Sequence, residues 1–149
     1  MKPVLFLDFD GVINSMRSRH KLGWNQFSRP MVERVNRIVQ ATGCKVVVSS
    51  AWRLRSAEDG PEPSVDRMRR ILGENGFIGD VIDVTPGSLT GYRGHEIQKW
   101  LDKHPGYGPF VILDDSSDME PFMDRLVQTE DAIGICSVHV DLAIELLGG

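Results

Sequence analysis

Cysteine and histidine are scarce in this chain. It holds two cysteines, Cys44 and Cys136, and four histidines among 149 residues. Both cysteines sit in apolar runs without ligand-like spacing, which argues against a thiolate metal centre and for buried free thiols in a reducing, cytoplasmic setting. His95, His104 and His139 are equally scattered and read as surface or helix-end residues. No apolar stretch approaches the about 20 residues of a membrane span, so no membrane partner is expected. The opening MKPVLFLDFD is too briefly apolar, and too soon broken by acids, for a secretory signal. There is no internal repeat and no low-complexity tract. A net charge of -4 argues against a surface that binds polyanions over its whole extent, while leaving room for a local basic patch. What remains, at 41% hydrophobic and 26% charged, reads as one globular domain over residues 1–149 with a sizeable core.

Strand-like and helix-like segments alternate along the chain. Val4 to Asp8 is a continuous apolar run, as in a strand covered on both faces. Pro30 opens a helix with Met31, Val32, Val35, Ile38 and Val39 on one stripe, and Gly43 stops it. Strands are expected over Cys44 to Ser49, Asp80 to Val84 and Phe110 to Asp114, with a last one near Ala132 to Cys136. Helices are expected from a Ser64 cap to about Gly76, over His95 to His104, and from about Val138 to Leu147. Ala51 to Pro63 is turn-rich, and TPGSLTGYRG reads as an exposed loop. A β-α-β-α order implies an α/β fold: a mostly parallel sheet with helices on both faces and functional groups at the carboxyl ends of its strands.

That rule selects residues. The three strongest strands end in Asp8, Ser49 and Asp114–Asp115, which should converge on one crevice. Asp8 and Asp10 are two apart on an extended chain and share a face, after which Gly11 permits a sharp departure. With Asp118 a helical turn beyond Asp114, five carboxylates would crowd one cleft. Repulsion among them calls for a divalent cation, and oxygen ligands without Cys or His favour Mg2+. The plainer alternative, that these aspartates only cap turns, suits either cluster alone better than both together.

FLDFDGVIN, VVVSSAWR, a later Arg or Lys and VILDDSSDM together resemble the four ordered motifs of the haloacid dehalogenase-like (HAD) phosphohydrolase superfamily, over residues 4 to about 119. The resemblance implies a three-layer, Rossmann-like α/β/α fold. It implies Asp8 as nucleophile, Asp10 as general acid and base, and Ser49 as the hydroxyl on a phosphoryl oxygen, with Ser50 as the alternative. For the cationic residue it favours Arg93, with Lys99 and Arg53 as alternatives. Asp115 would bind the metal beside Asp8 and Asp10, with Asp114 and Asp118 supporting it or pairing in its place. The SSAWR arrangement and Asn14 are similar to a small HAD branch associated with RNA-repair proteins, in which Trp52 and Arg53 would line the cleft.

Only a short flap, about residues 12–28, follows the first strand, and residues 51–79 leave room for a small lid but no large cap. An open cleft suits large substrates with a protruding phosphate. The flap segment NSMRSRHKLGWNQF gathers Arg17, Arg19, His20 and Lys21 near Trp24 and Phe27, offering cations for a phosphate backbone and an indole for a base. Its plainer reading is a solvated loop whose aromatics anchor on the core. The expected activity is Mg2+-dependent phosphomonoester hydrolysis on a phosphorylated substrate such as a nucleic-acid end. A small-metabolite phosphatase, a phosphotransferase and a non-catalytic phosphate-binding module are the alternatives.

Overall fold

Alternation along the first strand decides how the layers form. In β1 (Val4–Leu7), Leu5 and Leu7 face one way and Val4 and Phe6 the other, and all four are fully buried. A strand with no polar face needs cover on both sides. The computed structural model, which describes residues 2–24, 26–54 and 61–149, supplies it. A five-stranded sheet runs in the order β3-β2-β1-β4-β5, with β2 (Lys45–Val48), β3 (Asp80–Val84), β4 (Phe110–Asp114) and β5 (Leu126–Gln128). Every pairing is parallel, giving an α/β Rossmann-like arrangement.

On one face, Leu5, Leu7, Val46, Val48, Val111 and Leu113 meet α2 (Arg29–Thr42), α3 (Ser64–Glu74) and α5 (Ser137–Leu146). On the other, Phe6, Val47 and Ile112 meet Ile97 and Trp100 of α4 (Arg93–Lys103), with Met119 beside them. The helix opened by Pro30 buries Met31, Val32, Val35 and Ile38 as expected, and ends on Gly43 in the left-handed region (φ 67°).

Three expectations shift. Ser64 is the first helical residue of α3 rather than its cap, its hydroxyl donating to the Arg53 carbonyl at 2.7 Å. The last strand is Leu126–Gln128, not Ala132 to Cys136. The apolar run at 132–136 folds instead as a turn closed by a Glu130–Gly134 bridge, and Ile135 N–H donates to the Val12 carbonyl at 2.9 Å. The flap carries a helix, α1 (Met16–Leu22), capped by Ser15 and Ser18 bonding to each other's backbone. The small lid expected within 51–79 falls partly on 55–60, which lie outside the described residues. The rest of that stretch holds a 3-10 turn (Ala51–Arg53) and α3, which packs Met68 and Leu72 into the core. Among the described residues no helix is long and apolar enough to cross a membrane.

Candidate active site

Register brings the polar strand ends level. Leu7 pairs with Val48 on one side and Leu113 on the other, so Asp8, Ser49 and Asp114 follow at one height. Backbone bonds continue past the strands: Asp8 N–H donates to the Leu113 carbonyl at 3.0 Å and Ser49 N–H to the Leu7 carbonyl at 2.8 Å. Strand order reverses between β1 and β4, so this height is the topological switch point, where open parallel sheets form their crevice.

Three carboxylates meet there. Asp8, Asp114 and Asp115 each present an oxygen within 4.8 Å of the others, and Asp8 and Asp114 are buried. Among the described residues one cation faces them: Arg93 Nη1 lies 2.9 Å from Asp114 Oδ2 and 3.3 Å from Asp8 Oδ1, and also donates to the Ser49 carbonyl. It does not balance the cluster. Burial, only partly offset by Arg93, pushes the Asp8 carboxyl up to about 6. Burial and then the Asp8 charge push Asp114 up to about 8. Burial raises Asp115 as well. Burial works against the Arg93 cation, but Asp8 and Asp114 outweigh it and hold its pKa above the ordinary value. Oxygen donors with surplus negative charge fit a hard divalent cation such as Mg2+.

The expected group of five carboxylates is therefore a group of three. Asp118 is taken up by local structure: its Oδ2 accepts from Arg93 N–H at 3.2 Å and its Oδ1 from the Ser116 hydroxyl at 2.6 Å. It thereby caps α4, whose preceding Tyr92 offers no side-chain cap. The helix consequently starts two residues before His95, and Arg93 is its first residue instead of a loop residue. Lys99 is exposed and donates to the Gly87 carbonyl, away from the carboxylates.

Asp10 also lies outside the group. It is solvent-exposed, with Oδ1 accepting from Asn14 Nδ2 at 2.9 Å and Oδ2 from Trp52 Nε1 at 3.0 Å. Asn14 is itself held, its Oδ1 accepting from Gly11 N–H at 3.0 Å and Arg19 Nη1 at 2.8 Å. Gly11 has φ 82°, and a Cβ there would lie 2.4 Å from Asp115 Oδ2. Only glycine lets the chain turn this tightly against the acidic cluster.

The end of β2 sorts its neighbours. Ser49 Oγ is buried and has no hydrogen-bond partner among the described residues, a hydroxyl held ready beside the carboxylates. Ser50 instead caps the 3-10 turn, accepting from Trp52 N–H at 3.2 Å. Trp52 lines the cleft, its ring against Phe9 and Phe27 at 5.5 and 5.0 Å. Arg53 does not line it. Its guanidinium turns inward to Glu96 at 2.9 Å and to the carbonyls of Thr85 and Ser50. Three buried partners leave it no group to offer a substrate.

Two contributors carry no local sequence signal. Thr129 Oγ1 donates to the Gly11 carbonyl at 2.7 Å across 118 positions. Asp131 accepts both its contacts from Arg19 Nη2, at 2.7 and 2.6 Å. Only folding reveals such pairs, and Arg19 had no more to mark it than membership of a basic run.

A comparison with curated proteins yields no match. A family model does match, over residues 4–140, and its description is a HAD domain in Swiss Army Knife RNA repair proteins. The match takes in β1 with its Asp8–Asp10 end, the Ser49 turn, Arg93 and the β4 carboxylates, and so spans every element that builds the crevice. The chain belongs to this HAD family, whose members are HAD-type hydrolases.

Proposed function

We propose that the protein hydrolyses phosphate monoesters through a covalent phosphoryl group on Asp8, with Mg2+ as cofactor and nucleic-acid ends as substrates. One observation carries the reading: Asp8, Asp114 and Asp115 converge with Arg93 at the switch point, beside the unpartnered hydroxyl of Ser49. Mg2+ bound by the three carboxylates would supply positive charge against the phosphoryl oxygens. An Asp8 oxygen attacks phosphorus and the bond to the leaving oxygen breaks, while Asp10 gives that oxygen a proton. Water then attacks phosphorus, Asp10 takes its proton, and the bond to Asp8 breaks to release inorganic phosphate. Arg93 and the Ser49 hydroxyl stabilise the charge that builds on the phosphoryl group. Asn14 and Trp52 orient Asp10 through its two oxygens.

The substrate class rests on the family's description and on the basic, aromatic segment that edges the cleft. With Mg2+, the protein should release phosphate from an aryl phosphate, and chelator should stop it. Asp8→Asn should lower that rate at least about 1,000-fold with its circular dichroism unchanged. Activity retained in that variant would overturn the mechanism. Oligonucleotides phosphorylated at the 3′ or 5′ end, set against sugar phosphates and free nucleotides, test the substrate. Strong preference for the small molecules would reject nucleic-acid ends.

A further inference from the structure

We infer that the cleft beside Asp10, lined by Arg19, Trp24, Trp52 and Asp131, is a leaving-group subsite for one unpaired nucleoside. The inference rests on the phosphatase reading for its orientation. Asp10 is the proposed acid and base, it lines this cleft, and its task there is the leaving oxygen. Whatever that oxygen belongs to must occupy the space next to it. The cleft holds about 290 Å³, at the small end of ligand sites and enough for a nucleoside.

Its walls favour a flat ring. Trp52 is fixed by Phe9 and Phe27, while Trp24 is 73% exposed, supported by the Arg19 guanidinium 5.3 Å from its ring. An indole held out in water gains by being covered, and a base stacking on it does so without regard to sequence. Charge narrows the class further. Asp131 already pairs with the guanidinium of Arg19, so among the described residues the lining leaves no unpaired cation to hold a second phosphate in this cavity. Asp131 is partly exposed and keeps free lone pairs toward donors such as sugar hydroxyls or base amines.

Arg19 is the keystone and is not a surface side chain. Its side chain is only 9% exposed, it bonds Asn14 and Asp131, and its Nε–H is buried without a partner among the described residues. The Asn14 that holds Asp10 is thus tied to the platform under Trp24. A paired base is held to its partner and stacked on its neighbour, so an unpaired end enters the cleft without the cost of freeing the base first.

The test compares kcat/KM for phosphorylated single-stranded oligonucleotides and nucleoside monophosphates with that for glycerol phosphate, which has no ring, and for a blunt phosphorylated duplex. Wild type should prefer the unpaired ends over both. Trp24→Ala should cut the ratio of nucleotide to glycerol phosphate about tenfold, and Trp24→Phe should restore most of it. In Asp8→Asn, a nucleoside monophosphate should quench tryptophan fluorescence, and adding Trp24→Ala should abolish the saturable part. An unchanged ratio in Trp24→Ala, or blunt duplex turned over as fast as single strands, would overturn the subsite and leave the phosphatase reading standing. If no ester is turned over by wild type, that reading falls instead, and absence of saturable quenching would then remove the subsite too.

Discussion

Gly11 is where backbone conformation and chemistry constrain the same atom. Its φ of 82° is left-handed, and the space for a Cβ is occupied by the Asp115 carboxylate. Gly11→Ala therefore meets both penalties. It should lower stability by about 1–3 kcal/mol in urea unfolding, and raise the Mg2+ concentration needed for half-maximal activity because Asp115 must move. An unchanged Mg2+ requirement would mean that Asp115 takes no part in holding the ion. At this scale the sequence was legible wherever the signal was local. An apolar run ending in Asp8, and another ending in Asp114, announce strand ends with carboxylates on them. Arg53, Asp118 and Asp131 were not legible, because their partners Glu96, Arg93 and Arg19 stand 43, 25 and 112 positions away. A charged residue next to a motif looks the same in sequence whether it turns toward the cleft or away from it.

Among the elements, α4 matters most to the crevice, since its first residue is Arg93. It is clamped from inside by the Arg53–Glu96 pair, both side chains under 9% exposed, which ties the helix to the turn after β2. Glu96→Ala leaves the guanidinium buried with its charge unpaired, and should cost about 3–5 kcal/mol, seen as a lower urea midpoint at constant slope. The paired change Arg53→Met with Glu96→Leu should recover part of that loss, because it removes both charges together. A loss under about 1 kcal/mol in Glu96→Ala would show that water reaches the pair. Helices with strong stripes, such as α2, were readable from periodicity alone. β5 was not: its Leu126–Val127 pair is too short to stand out, whereas the longer apolar run at 132–136 forms a turn that buries Ile135 against the loop after β1 and leaves Ile133 exposed. Hydrophobic length alone therefore marks neither burial nor strand, and sheet register decides which run pairs.

Across the whole molecule, the carboxylate cluster sets how stability depends on pH and on metal. Asp8 and Asp114 bind protons more tightly folded, at about 6 and about 8, than their ordinary 3.8. At these two sites the native state then holds more protons than the unfolded chain, so their contribution to stability falls as pH rises from about 4 to about 8. His139 contributes in the opposite sense: burial lowers its pKa, and its Nδ1 accepts from Cys136 N–H, so its contribution is lost as pH drops below about 6.5. The metal-dependent difference cancels His139 and isolates the cluster. Mg2+ competes with protons for the carboxylates, so the rise in Tm that it gives should be small at pH 5 and grow toward pH 8. At 100-fold excess over its Kd the ion would add about 2.7 kcal/mol, or roughly 5–10 °C for a chain this size. Asp114→Asn removes the most strongly shifted carboxyl. Without metal it should flatten the fall in Tm between pH 5 and pH 8, and with metal it should lose most of the increment. Calorimetry at matched ionic strength separates these outcomes from general screening, because Na+ adjusted to the same strength should not reproduce them. An increment independent of pH, or one that survives intact in Asp114→Asn, would place the ion elsewhere and leave the buried carboxylates to be neutralised by protons and Arg93 alone.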